Sequence, residues 1–74
     1  METIMGLVQE LAPGRSISPD GELVRSGVLD SILVTTLALE LAGEFGVRIG
    51  PGDLREENFA TPRAMAELVA RLKG

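Results

Sequence analysis

The chain has 74 residues, 11 acidic against 7 basic side chains, a net charge of −4, and neither cysteine nor histidine. Disulfides, Cys–His pairs, a Ser-His-Asp triad and the usual zinc sites are therefore excluded, and no run has calcium-loop spacing. The scattered basic residues and only two aromatics, Phe45 and Phe59, argue against a nucleic-acid surface. A single domain, residues 1–74, is expected, held together by aliphatic packing and of modest stability.

The N-terminus lacks the features of a secretory signal: Glu2 stands where a positive charge is needed, and no long apolar run follows. No stretch is long enough to cross a membrane. A soluble, cytoplasmic protein that does not insert in membranes is the expectation.

In chain order, Ile4, Leu7, Val8 and Leu11 fall at i, i+3, i+4 and i+7. This is the stripe of an amphipathic helix over residues 3–12, stopped by Pro13-Gly14. Residues 13–30 form a long connection containing a turn signal, Ser18-Pro19-Asp20-Gly21. Its apolar Leu23, Val24, Val28 and Leu29 are expected to tuck beneath the helices. A connection this long in so small a domain is internally packed or functional.

Asp30 is a good N-cap for a second helix over residues 31 to about 46, with Gly46 as its stop. Val47 and Ile49 are too isolated to build a sheet and read as an extended plug into the core. Asp53-Leu54-Arg55-Glu56 has the pattern of a capping box, with Asp53 in the cap position of a short helical turn. Thr61-Pro62 opens the last helix, whose Met65, Leu68, Val69 and Leu72 repeat the helical stripe. The fold class expected is all-α: a small four-helix bundle, three main helices plus a short third, with a long loop between helices one and two.

Helix two carries apolar residues on two sides. Val34, Leu37, Ala38, Leu41 and Phe45 fall within one arc and are assigned to the core. There Leu37, Leu41 and Phe45 face Leu7, Leu11, Leu68 and Val69. Ile32 and Leu39 lie nearly opposite, with Thr36 and Gly43 beside them and Glu40 and Glu44 off the stripe. Ile32, Thr36 and Leu39 are therefore candidates for a strip that docks other proteins; scattered surface residues, or residues covered by the long loop, are the plainer alternative. Ser31 is a second candidate. Since Asp30 can cap the helix, the Ser31 hydroxyl is left free in the first turn, where amides and dipole favour an anion such as a phosphate ester. No residue in the chain could serve as its usual base, so Ser31 is not read as a catalytic nucleophile.

Leu23-Val24-Arg25-Ser26-Gly27-Val28-Leu29-Asp30-Ser31-Ile32 resembles the attachment site of acyl and peptidyl carrier proteins. Glu44-Phe45-Gly46-Val47-Arg48-Ile49 is similar to that family's helix-two exit, and Asn58-Phe59-Ala60-Thr61-Pro62 to the lead-in to its last helix. The resemblance covers nearly the whole chain and implies a free-standing carrier that is not an enzyme. It implies 4′-phosphopantetheine, taken covalently from coenzyme A, on Ser31, with Asp30 capping the helix and helping a phosphopantetheinyl transferase to dock. Ile32 and Leu39 would flank the arm and meet an adenylating or acyl-activating enzyme and a downstream acyl-transfer or condensing enzyme. Acyl or aminoacyl cargo would ride as a thioester, on a carrier expected to be monomeric.

The chain departs from fatty-acid synthesis carriers, which usually place several acids along helix two. Here those places include Leu33, Thr36, Ala42 and Gly43. It looks more like D-alanyl carriers, peptidyl carriers and other specialised types, so a role in D-alanyl transfer or in nonribosomal peptide or polyketide biosynthesis is implied. An alternative of another class is a cofactor-free helical adaptor that binds a partner through the apolar strip.

Overall fold

The computed structural model describes residues 1–74. It contains α1 (Glu2–Leu11), α2 (Ser31–Phe45), a 3₁₀ turn (Pro51–Asp53), α3 (Glu56–Phe59) and α4 (Pro62–Lys73), with no strand. The expected all-α bundle, with its short third helix and long first connection, is the observed architecture. Helix α1 packs on α2 and α4, and α3 packs on α4. No helix is long and apolar enough to cross a membrane.

Each main helix turns the stripe its periodicity marks toward the core, with Leu7, Leu11, Val34 and Leu72 only half-buried against it. Ile4 and Val8 of α1, Leu37, Ala38 and Leu41 of α2, and Met65, Leu68 and Val69 of α4 are all buried in one cluster. The ends are set by local chemistry. Thr61 Oγ1 accepts a hydrogen bond from the Ala64 amide at 3.0 Å, and Pro62 fills the first position of α4. Helix α2 stops at Gly46, whose φ of 64° is left-handed and suits glycine.

Two expectations are corrected. Phe45 is only half-buried, as are Leu7 and Leu11. It is the last residue of α2, so no further turn covers its outer side, and the Lys73 ammonium lies 5.8 Å from the ring centroid instead. The aromatic at the centre of the core is Phe59, fully buried on the single turn α3. The second correction concerns Asp53. It does not cap α3, which begins three residues later with Arg55 in the cap position and no side-chain cap. Its Oδ2 accepts from the Gly50 amide at 3.1 Å, closing the 3₁₀ turn that Pro51 initiates. Its carbonyl accepts from Asn58 Nδ2 at 2.9 Å. Val47 and Ile49 are half-buried and lie outside any helix or strand; of the two, Ile49 packs against the core as expected of a plug.

The long connection is internally packed. Leu23 and Leu29 are buried, with Ile17, Val24 and Val28 packed beside them. The turn at Ser18 closes through the Gly21 amide onto the Ser18 carbonyl at 3.1 Å. Three ties then fasten the connection to the start of α4. The Leu23 amide donates to the Ala60 carbonyl at 2.7 Å and the Arg63 amide to the Pro19 carbonyl at 2.9 Å. The Arg63 guanidinium donates twice to the Asp20 carboxylate, at 2.6 and 3.1 Å.

Hydrogen bonding from Arg63, aided by its charge, holds the Asp20 carboxyl below its ordinary range and raises Arg63 in turn. A carboxylate with a depressed folded-state value contributes stability that is present at neutral pH. That contribution is lost as the pH falls below the ordinary aspartate range toward the folded value. The pair is exposed, so the effect is small. Melts at neutral and acid pH should show the parent losing slightly more on acidification than Asp20→Asn, with the two curves converging at the acid end. A variant that lost more on acidification than the parent would contradict this assignment.

Candidate functional site

The start of α2 gathers the residues that the sequence singles out. Asp30 sits in extended backbone at the N-cap, and its Oδ1 accepts from the Leu33 amide at 2.9 Å. Its own carbonyl takes the Val34 amide, the first bond of the helix. The amides of Ser31 and Ile32 have no carbonyl one turn before them to bond. They remain as donors at the positive end of a 15-residue helix. The Ser31 side chain is exposed and makes no hydrogen bond of its own, so capping by Asp30 leaves that hydroxyl free. The approach is set by the Leu29 amide bonding the Leu23 carbonyl at 3.0 Å, and by Gly27, whose φ of 83° turns the chain back.

Removing the cap should cost stability without touching the hydroxyl. Asp30→Ala is expected to destabilise the fold by about 1 kcal/mol, within a range of about 0.5–2. Urea titration measures this, and an unchanged midpoint would mean that the Asp30–Leu33 bond contributes nothing in solution.

Ser31 also lines a groove of about 320 Å³, together with Asp30, Val24, Val34, Thr35, Leu54 and Glu56. Its walls come from three places: the long connection, the first turns of α2, and the segment leading into α3. Thr35 donates to the Ser31 carbonyl at 3.0 Å, so its hydroxyl is engaged with the helix.

The groove is a fit for an arm tethered at Ser31. An exposed hydroxyl stands at one end, unpaired amides lie beside it for an anion, and Val24, Val34 and Leu54 offer contact for a branched aliphatic segment. Val24 is legible in the sequence as an apolar loop residue; nothing in the sequence marks Leu54 or Glu56 as a site residue. Leu54 is a lone apolar side chain between Asp53 and Arg55, with no periodicity to assign it a face.

The second face of α2 is exposed as its phase predicts. Ile32 and Leu39 are 74% and 71% exposed, and the long connection does not cover them. Thr36 lies on the same side, half-buried, with its hydroxyl donating to the Ile32 carbonyl at 3.1 Å. Thr36 thus adds little polarity to the strip. The structure brings Asp30 and Ser31 into the groove and leaves Ile32, Thr36 and Leu39 on a neighbouring face.

A family model described as "Phosphopantetheine attachment site" matches residues 2–69. Among curated proteins the chain is 28% identical over 74 residues to a D-alanyl carrier protein of Staphylococcus xylosus, covering 97% of this chain and 95% of that protein. It is 24% identical over the same length, with the same coverage, to a D-alanyl carrier protein of Enterococcus faecalis. The helical architecture, the residues matched by the family model and these relatives agree: the chain belongs to the phosphopantetheine attachment family, and it is a carrier bearing covalent 4′-phosphopantetheine rather than an enzyme.

Proposed function

We propose that Ser31 is the attachment point of the arm and that the protein is an aminoacyl carrier of the D-alanyl type. The observation that supports this most is the exposed, unbonded Ser31 hydroxyl at the head of α2, opening onto an apolar-walled groove. The two D-alanyl carrier relatives, aligned over almost their whole lengths, favour an amino acid as cargo.

On attachment, Ser31 Oγ forms a bond to the pantetheine-side phosphorus of coenzyme A. The pyrophosphate P–O bond breaks, adenosine 3′,5′-bisphosphate leaves, and the serine proton passes to the transferase. When bound, the arm supplies a thiol that holds acyl or aminoacyl cargo as a thioester. The residues of the chain position and present it. Asp30 fixes the helix start and offers the transferase a charge beside the serine. The free Ser31 and Ile32 amides favour the phosphodiester anion.

Carriers of this family meet a phosphopantetheinyl transferase and acyl-activating or acyl-transferring enzymes. Here Ile32, Thr36 and Leu39 are proposed as the surface those enzymes read. They form an apolar strip with no charge at its centre, and it begins one residue after the attachment serine. The carrier reading leads over a cofactor-free adaptor because it also accounts for Asp30, Ser31 and the groove.

Incubating holo-protein with adenylating enzymes for D-alanine, for other amino acids and for short acyl units, then measuring intact mass, tests the cargo. Loading with an amino acid and none with simple acyl units is expected, and the reverse would overturn the aminoacyl assignment. Leu39→Glu tests the strip. A charge placed on an exposed site should change stability by no more than about 0.5 kcal/mol. At a desolvated interface that charge loses water without gaining a partner, so loading should fall about tenfold or more while the melt barely moves. Raising salt should leave parent loading largely intact, because apolar contacts are not screened. Unchanged loading by Leu39→Glu would remove the strip from the interface.

A further inference from the structure

The groove beside Ser31 does not end at Leu54. A second depression of about 200 Å³ lies further along, and the two share Val24 and Glu56 in their linings. Val24 and Glu56 therefore border both depressions. The other charged groups lining the two are Asp30, Glu57, Glu22 and Arg25. Asp30 caps α2. Glu57 is paired with Arg55 at 3.4 Å. Glu22 and Arg25 line only the far depression. Glu56 is exposed and belongs to neither of the two ion pairs in the molecule. The near groove thus has apolar walls and two carboxylates, Asp30, whose Oδ1 caps α2, and Glu56, which has no partner, with no cationic side chain in its lining.

We propose that Glu56 is a cargo-discriminating residue, favouring an arm that ends in a small aliphatic aminoacyl group over one that ends in a neutral or acidic acyl group. The inference rests on the attachment of the arm at Ser31. The occupant is the chain's own arm, because the groove opens at the residue that carries it. The apolar walls accept a short aliphatic side chain and the carboxylate complements its α-ammonium. An acid-bearing cargo meets like charge at the same point. Glu56 lies in water, so the attraction is a bias of a few-fold and not a lock.

The test uses the whole protein, parent and Glu56→Gln, each modified by a broad-specificity phosphopantetheinyl transferase with alanyl-coenzyme A or propionyl-coenzyme A. These cargoes have nearly the same size and differ by the amine. The readouts are backbone amide NMR shifts and the titration midpoint of the cargo amine. In the parent, the alanyl form should displace the amide signals of Val24, Leu54 and Glu56 relative to the propionyl form. Its amine should titrate about half a pH unit above that of free alanyl-pantetheine. Both differences should shrink clearly in Glu56→Gln, which removes only the charge of a side chain that makes no hydrogen bond here and leaves Asp30 as it was. Identical shifts for the two cargoes, or differences that survive undiminished in Glu56→Gln, would overturn the proposal while leaving the carrier assignment intact. Failure of both proteins to gain the arm's mass would overturn the attachment reading, and this inference with it.

Discussion

Truncating Phe59 to alanine should cost about 3–5 kcal/mol and leave the fold barely cooperative. The ring is fully buried, and the elements around it have no spare volume to close the hole it would leave. Small domains have the least stability to lose, since total values run to only about 5–15 kcal/mol. Phe45→Ala is the matched control. It removes a ring of the same size from the same core, but from its edge, where part of the ring already meets Lys73 and water. Its cost should be smaller, about 1–2 kcal/mol. Urea titrations of the two variants and the parent give the comparison. A larger loss for Phe45→Ala than for Phe59→Ala would mean that the core is centred on α2's last turn and not on α3.

Replacing Ser31 with alanine should have the opposite profile: complete loss of modification with an almost unchanged melt. Asp30 supplies the cap, and the Ser31 side chain makes no hydrogen bond in the fold, so its removal should stay within about 0.5 kcal/mol. The other serines are poor substitutes. The Ser26 hydroxyl donates to the Glu22 and Leu23 carbonyls, and Ser16 and Ser18 lie in the connection and occupy no position in the first turn of a helix. An alanine variant that still gains the arm would place the modification elsewhere. A variant that unfolds would mean that the hydroxyl has a structural role which its lack of partners contradicts.

The contrast between Phe59 and Ser31 shows where sequence reasoning has purchase. The three long helices announce themselves by spacing, and Asp30 and Thr61 announce their starts, because capping depends on one side chain and the amides two or three residues on. The exposed face of α2 follows from the same phase arithmetic, as the exposure of Ile32 and Leu39 bears out. Phe59 is beyond that method: a four-residue helix is about one turn, too short for a repeat to declare which side is buried. Phe45 misleads because its angular position matches the core while its place at the end of α2 does not. Asp53 misleads for a related reason. The sequence matches a cap, but Pro51 winds its own turn first and takes the carboxylate for Gly50. The groove is the least legible feature. Val24 is far in sequence from Leu54 and Glu56, and no local pattern records that they meet across the groove.

The measurement that tests the central claim most directly is fragmentation mass spectrometry of the parent after incubation with coenzyme A, magnesium and a phosphopantetheinyl transferase. The account predicts a single added phosphopantetheine, carried by the peptide containing residues 29–33 and localised to Ser31. No addition, or an addition mapped to Ser16, Ser18 or Ser26, would contradict it.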